Sequence, residues 1–286
     1  MMTNIDKLKT LLDTFYQEFD FQGRIKEDPI EFPHRYSNQR DIETSGFIAS
    51  CFAYGRVKAF KVVIGTILDR MGDSPYEFLS NLDAKRDLVI FKDIIYRFNS
   101  NQDIVGLIFI IHRMMEEFGS IENTFMKFYK PQSEGHNGQM YQGQTGFIEY
   151  IRGIDVNGVC EKTAGLLQFF PSPAQGSTCK RLNMFLRWMV RDADIDFGIW
   201  QDIPKSELII PLDTHMARIS RCLQLTDRLS NDYKTAIEIT NNLKMIDPED
   251  PVKYDFSLCH HGISGACSSK STKANCEGCA ISCISQ

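Results

Sequence analysis

Apolar residues recur every three or four positions along most of the chain, a spacing that predicts amphipathic helices. Only two short runs favour strands, Leu88–Phe91 and Leu208–Leu212, and both lie beside helical stretches. The pattern therefore predicts a mostly or all-α fold. The predicted helices span 5–19, 42–71 with an interruption at Gly55, 104–118 up to Gly119, 121–129, 147–154 and 159–169.

One segment breaks this pattern. Residues 131–146 hold four glycines and almost no side chains that would pack into a core. Such a composition predicts a surface loop. The loop is either a plain connection or a lid over a functional site, and the sequence leaves both readings open.

The composition narrows the class of protein. The 286 residues are 43% apolar and 24% charged, which excludes a disordered chain. The longest apolar runs, such as residues 107–111, fall short of the roughly 18 residues that a bilayer requires. The first residues mix Lys, Asp and Glu with apolar residues, unlike a signal peptide, so we expect a cytoplasmic protein without a membrane partner. The net charge of −5 weighs against a nucleic-acid partner.

Residues 170–225 hold the most informative motifs. Two prolines and Gly176 predict a turn, and Ser177 or Thr178 is expected to cap the helix that follows. Lys180, Arg187 and Arg191 recur at steps of seven and four, so they share one helix face, flanked by Arg181. This face is either a solvated basic surface or, with the backbone N–H groups of the turn, a phosphate site. The buried side of the same helix is predicted to consist of Leu182, Phe185, Leu186 and Met189.

A second helix start follows further along the chain. Asp213, two residues after Pro211, is well placed to be the N-cap of a helix that buries Met216, Ile219 and Leu223. Capping alone would account for an aspartate at this position. A carboxylate at a helix start is also suited to stabilising a positive charge that develops beside it.

The lysine at the start of the first helix and the Pro-Leu-Asp-Thr-His start of the second resemble the helix-hairpin-helix DNA glycosylase superfamily. The linker length is most similar to the archaeal 8-oxoguanine DNA glycosylases, and endonuclease III belongs to the same group. The whole chain also resembles an uncharacterised bacterial family, through runs such as FAYGR, KRLNMFLRWMVR and DPVKYDF. The resemblance implies an all-α, two-domain fold. Residues 41–204 would form a helical barrel with the hairpin, and 1–40 plus 205–286 a second domain.

The resemblance also implies a reaction. A glycosylase flips the damaged base out of duplex DNA before it breaks the glycosidic bond. Lys180 would be the nucleophile that forms a Schiff base, and Asp213 would stabilise the positive charge on the sugar. Schiff-base chemistry would add lyase activity at the abasic site. Further DNA or base contacts are expected from Gly176, Ser177, Arg181, Arg187, Arg56 and Trp200.

The nine cysteines fall into two groups. Cys51, Cys160, Cys179, Cys222 and Cys259 are scattered among apolar residues, as buried free thiols are. A C-x8-C-x2-C-x3-C motif lies near the C-terminus, formed by Cys267, Cys276, Cys279 and Cys283. Four such thiols suit a [4Fe–4S] cluster or structural zinc, and they can also stay free of metal. The resemblance to endonuclease III favours the cluster.

Three functions thus remain open. The first is a monomeric DNA repair glycosylase that removes an oxidised base such as 8-oxoguanine. The second is a non-catalytic helix-hairpin-helix protein that binds nucleic acid or serves as a scaffold. The acidic charge and the single glycine in the turn, where the family usually has two, favour this second function. The third is a helical interaction module without a nucleic-acid partner.

Overall fold

The computed structural model describes residues 4–130, 138–264, 279 and 281, and over these ranges the chain is all-α, with no β-strand. Leu88–Phe91, predicted as a strand, is one of six 3₁₀ turns. The helices are α1 Asn4–Gln17, α2 Phe21–Arg24, α3 Gln39–Phe52, α4 Val57–Met71, α5 Pro75–Ser80, α6 Asn101–Phe118, α7 Ile121–Met126, α8 Gln139–Gly153, α9 Ala164–Gln168, α10 Lys180–Val190, α11 Thr214–Cys222, α12 Tyr233–Lys244 and α13 Asp255–Ile263.

The contacts divide the chain into two compact units. One unit is continuous and spans residues 25–175, and the other combines 1–24 with 176–286. The boundaries between units therefore fall near residues 25 and 176, whereas the sequence places its domain boundaries at 41 and 204. As a result, α10 belongs to the same unit as α11, α12 and α13. We call the two units the inserted unit (25–175) and the split unit (1–24 with 176–286).

Helix α3 lies at the centre of the inserted unit, and every residue from Asp41 to Phe52 is buried. Two of these buried residues are acids that cap other helices. Asp41 accepts hydrogen bonds from Ser74 Oγ at 2.7 Å and from Tyr76 N at 3.0 Å, at the start of α5. Glu43 accepts bonds from the first two N–H groups of α7 at 3.1 and 2.7 Å. Burial removes the water that would otherwise solvate these carboxylates. The donors at the helix N-termini replace that water, because a helix N-terminus attracts negative charge.

Helix α6 matches its predicted span closely. Ser100 and Asp103 form a reciprocal capping box at its start, and the helix ends at Gly119 in the left-handed conformation, with φ at +78°. The prediction of a helix ended by this glycine is confirmed. Gly55 likewise separates α3 from α4, as the sequence indicates.

The predicted loop over 131–146 is wrong for its second half, since α8 begins at Gln139. Two of its glycines serve helix packing. A Cβ atom at Gly143 would lie 3.0 Å from Tyr129, and one at Gly146 would lie 2.8 Å from the Phe128 ring. These glycines let α8 approach two aromatic residues closely. Residues 131–137 lie outside the described part of the chain, and so does any lid formed by them.

Two more segments differ from the prediction. Residues 208–212 are buried but form no strand, and the N–H of Ile210 donates to the Thr240 hydroxyl at 3.1 Å instead of to a neighbouring strand. The helix predicted over 159–169 is reduced to α9, which begins after its N-cap Thr163.

In the split unit, the first helix packs against segments that follow α12. Lys9 Nζ donates to the carbonyl of Ile246 at 3.1 Å. Asp13 accepts bonds from Lys253 at 2.9 Å and from the Tyr254 hydroxyl at 2.7 Å. Leu12 is fully buried below these polar contacts. Residues more than two hundred positions apart therefore build one core.

None of the described helices is both long enough and apolar enough to cross a bilayer.

Candidate active site

The turn before α10 consists of a 3₁₀ turn over Pro173–Gln175 and two residues with positive φ. Gly176 is exposed with φ at +79°, and its carbonyl accepts a bond from Tyr233 N at 3.0 Å. Cys179 is buried with φ at +49° and is the residue directly before the helix. Ser177 Oγ accepts the N–H of Cys179 at 3.2 Å. The expectation that Ser177 or Thr178 caps α10 is therefore wrong, because the left-handed Cys179 places the helix start one residue later.

Lys180 is the first residue of α10 and is half-buried. Its Nζ lies 3.4 Å from Sδ of Met184, one turn further along, so the lysine side chain runs along the helix. Arg181 beside it is also half-buried. The predicted buried stripe is confirmed, since every residue from Leu182 to Val190 is buried.

The predicted basic face of α10 is wrong beyond Lys180 and Arg181. Arg187 is only 3% exposed. Its Nε pairs with Asp196 at 3.3 Å, and its Nη1 donates to Oδ2 of Asp255. These partners lie in the following linker and in α13. A guanidinium held in this way is unavailable to a DNA phosphate.

Arg191 is also 3% exposed and lies in the same buried network. It pairs with Asp194 and Asp250 at 2.7 Å each, and with Asp196 at 3.2 Å. Burial alone would lower the pKa of Arg191, but these carboxylates raise it well above its ordinary value. Burial raises the pKa of Asp196 even though both arginines oppose the shift. The network thus holds two arginines among more carboxylates than they can neutralise.

Asp213 caps α11, as the sequence predicts. Its Oδ1 accepts the N–H groups of His215 and Met216, both at 2.9 Å. Its other oxygen, Oδ2, accepts the thiol of Cys259 at 3.8 Å. The carboxylate therefore lies at the positive end of a helix, with one oxygen turned toward α13.

Asp255 is the first residue of α13 and is 3% exposed. Its Oδ2 accepts the bond from Arg187, while its Oδ1 has no hydrogen-bond partner among the described residues. Burial raises the pKa of Asp255 to about 6, and the charge of Asp213 adds to this rise. The positive charges of Arg187 and Lys180 oppose it.

Helices α11 and α13 are held close together at a glycine. A Cβ atom at Gly262 would lie 2.9 Å from Cβ of His215 and 3.1 Å from Ile219. Arg218 donates to the carbonyl of the same glycine at 3.3 Å. This contact fixes the Asp213 cap relative to α13.

The helices of the two residues predicted to be catalytic both contact α13. Arg187, on the helix that Lys180 begins, donates to Asp255, and Asp213 accepts the thiol of Cys259. Asp255 and Cys259 are four residues apart, so they share the α13 face that meets Asp213. The arrangement combines an amine, a helix-capping carboxylate and a second carboxyl with an unused oxygen.

The remaining predicted contacts are Trp200, Arg56, Gly176 and Ser177. Trp200 is 1% exposed and packs edge-on against Phe185, with ring centroids 5.3 Å apart, so it is a core residue and not the wall of a base pocket. Arg56 belongs to the inserted unit, where it is exposed and precedes α4 without a side-chain capping bond. Gly176 and Ser177 keep their predicted place in the turn before Lys180.

The C-terminal cysteine motif lies mostly outside the described residues, which include Cys279 but not Cys267, Cys276 or Cys283. Sγ of Cys279 lies 3.5 Å from Nε2 of His261. Over the described positions, no group of three or more metal-binding side chains comes together. The five other cysteines are free thiols, of which Cys51 and Cys179 are buried and the rest partly buried.

Asp255 and Asp196 were not predicted from the sequence, and Cys259 was predicted only as a buried free thiol. A signal for the acids was present: arginines spaced four apart on an otherwise apolar helix need carboxylate partners if they are buried. The acids of residues 192–196 and of the DPVKYDF run were candidates for that role.

Residues 28–264 match a family described as Protein of unknown function (DUF2400), and the chain belongs to that family. No curated protein and no solved structure matches the chain.

Proposed function

We propose that this protein is a DNA base-excision glycosylase of the helix-hairpin-helix type, with lyase activity at the abasic site. Its substrate is duplex DNA that contains an oxidised base such as 8-oxoguanine, and it acts as a cytoplasmic monomer. The supporting observation is that the helix that Lys180 begins and the helix that Asp213 caps both contact α13, through Arg187 with Asp255 and through Asp213 with Cys259.

In this proposal each residue has one task. Asp213, held by two backbone N–H groups, stabilises the positive charge that grows on the sugar as the C–N bond breaks. Lys180, as the neutral amine, attacks the anomeric carbon and forms the Schiff base that permits strand cleavage. The turn at Gly176 and Ser177 together with Arg181 contacts a phosphate. Arg56 is a further phosphate contact from the inserted unit.

We also propose that Cys267, Cys276, Cys279 and Cys283 hold a [4Fe–4S] cluster. Four thiolates are the ligand set that such a cluster requires, and the cluster would brace the C-terminal segment. The thiol of Cys279 beside His261 is a donor pair that zinc accepts equally well. Purified protein should therefore be analysed for iron, sulfide and zinc: iron with sulfide in equal amounts supports the cluster, and zinc alone contradicts it.

Borohydride trapping tests the reaction. Wild-type protein is incubated with duplexes that carry 8-oxoguanine or other oxidised bases, and the amount of covalent protein–DNA adduct is measured. We expect an adduct with at least one lesion and none with Lys180→Gln. The exposed-lysine variant Lys85→Gln is the matched control and should trap as the wild type does. Absence of adduct and of base release across the lesion panel would refute the proposal.

The burial of Arg187 and Arg191 favours a second candidate, a non-catalytic helix-hairpin-helix nucleic-acid-binding protein or scaffold. Of the predicted basic face, only Lys180 and Arg181 lie outside the buried network that holds those cations. Binding of undamaged and damaged duplexes at about 50 mM salt, where electrostatic affinity is high, distinguishes the candidates. Binding without any adduct supports the second candidate, and no binding of either duplex excludes both.

A further inference from the structure

Residues 96–99 form a tight turn in the inserted unit, between α5 and α6. Tyr96 N donates to the carbonyl of Asn99 at 3.0 Å and Asn99 N to that of Tyr96 at 2.8 Å, so Arg97 and Phe98 lie at the tip. Phe98 is 68% exposed, more than any other Phe, Tyr or Trp that the structure describes. A ring of this size usually packs into a core, so its exposure points to a binding surface.

The 96–99 turn is fixed by hydrogen bonds to two other segments. The Tyr96 hydroxyl donates to the carbonyl of Tyr54, and the Tyr54 hydroxyl donates to Oδ1 of Asn99. The Asn99 amide donates to the carbonyl of Gly165 at 2.7 Å. The rings of Tyr54 and Tyr96 also pack edge-on, with centroids 4.8 Å apart. The backbone that carries Phe98 is therefore held in place before a partner binds, which lowers the entropy cost of binding.

Arg97, the other residue of the tip, has a backbone conformation that suits glycine better. Its φ is +51°, in the left-handed region, which costs free energy for a residue with a side chain. Its guanidinium lies over the Phe98 ring, with Cζ 5.2 Å from the centroid, and 5.8 Å from that of Tyr54. Gly55 leaves room for this side chain, because a Cβ atom there would lie 3.0 Å from Cδ of Arg97. The turn thus keeps a cation beside the exposed ring at the cost of backbone strain.

The surroundings of the ring carry positive charge. Arg97, Arg56 and Lys92 are exposed, and none of them forms an ion pair with an acid among the residues that the structure describes. Arg56 follows the glycine that contacts Arg97, and Lys92 lies in the segment that leads into the turn. Asp93, an acid of the same segment, is paired with Arg70 at 2.8 Å. An open aromatic ring flanked by cations complements a planar base joined to phosphates.

We propose that the 96–99 turn is a stacking site for an unpaired base of a single-stranded nucleic acid. The base stacks on the Phe98 ring, and Arg97 and Arg56 contact the phosphates on either side of it. Phe98 and the exposed Ile95 offer less apolar area than the face of an amphipathic helix that binds a membrane, which favours the nucleic acid over a lipid surface.

This site goes beyond the proposed excision reaction. It lies entirely in the inserted unit, whereas Lys180 and Asp213 belong to the split unit. Binding of a strand at the turn requires neither of those two residues, so the two proposals stand or fall separately.

The test measures binding of the full-length protein to two labelled strands by fluorescence anisotropy at about 50 mM salt. One strand is a run of about 12 thymidines, and the other has the same phosphates but abasic residues in place of the bases. Phe98→Ala should bind the thymidine strand about tenfold more weakly than wild type and the abasic strand equally well. Phe98→Trp should keep the wild-type affinity, because it keeps an aromatic face. Tyr141→Ala, which removes an exposed aromatic ring elsewhere in the same unit, is the matched control and should bind as wild type.

A second variant tests the cation at the tip. Arg97→Gly removes the charge, and glycine suits the positive φ at this position, so the fold should be retained. We expect weaker binding of both strands and a slope of log affinity against log salt that is smaller by about 0.7. An unchanged slope would show that Arg97 contacts no phosphate and would overturn its part in the site.

Other outcomes overturn the stacking site. If wild type does not bind the thymidine strand, or if Phe98→Ala weakens both strands equally or neither, Phe98 does not stack on a base. Binding to vesicles of phosphatidylcholine and phosphatidylserine that is lost in Phe98→Ala, without such a loss on the strands, assigns the turn to a membrane surface instead. A wild type that forms no borohydride adduct but binds thymidines through Phe98 refutes the proposed glycosylase and supports this site.

Discussion

Three buried acids, two in the inserted unit and one in the split unit, differ in how their oxygens are bonded. In the inserted unit, both oxygens of Glu43 accept backbone N–H bonds at the start of α7, and both oxygens of Asp103 accept bonds at the start of α6 and from Thr163. In the split unit, Asp255 has one oxygen on Arg187 and one without a partner among the described residues. The first kind of acid contributes to the fold, whereas the unbonded oxygen of the second costs the fold free energy.

This difference separates structure from chemistry within a single chain. Burial alone does not distinguish the acids, since Glu43 and Asp255 are each 3% exposed. Their partners distinguish them. Glu43 accepts bonds from backbone N–H groups at a helix start, whereas Asp255 accepts from an arginine that it shares with Asp196. The comparison predicts that substitutions in the inserted unit change stability, while those at the cluster change chemistry.

The largest expected effect is on base release. Asp213→Asn should slow excision about 100- to 1,000-fold, because it removes the charge that stabilises the sugar cation. Asparagine caps helices about as well as aspartate, so the free energy of unfolding should change by less than about 0.5 kcal/mol. Single-turnover excision and urea unfolding measure the two quantities. A large loss of stability with unchanged excision would make Asp213 a structural acid like Glu43.

The next effect concerns stability in the inserted unit. Glu43→Ala leaves the N–H groups of Ile121 and Glu122 without their acceptor and should reduce the free energy of unfolding by about 2–4 kcal/mol. Glu116→Ala, which removes an exposed partner of Arg113, should cost less than about 1 kcal/mol. Urea unfolding compares them. Equal costs for the two variants would contradict the distinction between the acids.

A third effect is the pH dependence of stability. The pKa of Asp255 rises from 3.8 in the unfolded chain to about 6 in the folded one, so the folded state binds the extra proton. Stability from this group is complete below the unfolded value and is lost as pH rises toward 6. Relative to Asp255→Asn, wild type should therefore lose about 3 kcal/mol between roughly pH 4 and 6. If the stability of wild type relative to Asp255→Asn stays constant or grows over that pH range, the pKa of Asp255 is not raised.

The smallest effect is expected at Arg56. Because it is exposed and makes no capping bond, Arg56→Ala should leave stability unchanged. Its loss should weaken duplex binding about three- to tenfold and reduce the slope of log affinity against log salt by about 1. Binding titrations at several salt concentrations measure both. An unchanged slope means that Arg56 does not contact a phosphate.

Elements of the fold that depend on neighbouring residues alone were predicted well from the sequence. The apolar spacing of α6 with its capping serine and terminal glycine, and the capping aspartate of α11, depend on residues within one or two turns. The loop predicted at Gly143 and Gly146 was wrong. Glycines are common in loops, but they also allow a helix to pack closely against large side chains, here Tyr129 and Phe128. Only the partner side chains distinguish these two uses.

The site was predictable only in part for a similar reason. Lys180 and Asp213 were found by their resemblance to a motif and by their place at helix starts. Arg187 was misplaced on a solvated face because its partners Asp196 and Asp255 lie nine and sixty-eight residues away. Periodicity describes the faces of one helix, but it does not tell which face a distant acid will cover.

The pairing of α1 with residues near 246–254 has a consequence for synthesis of the chain. Lys9 and its acceptor Ile246 are separated by 237 residues. At ordinary ribosomal rates of roughly 5–20 residues per second, α1 is made about 10–50 s before its partners. During that interval the apolar side of α1, with Leu8 and Leu12, has no native surface to cover it. The inserted unit has all its residues earlier, so the unit that holds the proposed chemistry is the last to be completed on the ribosome.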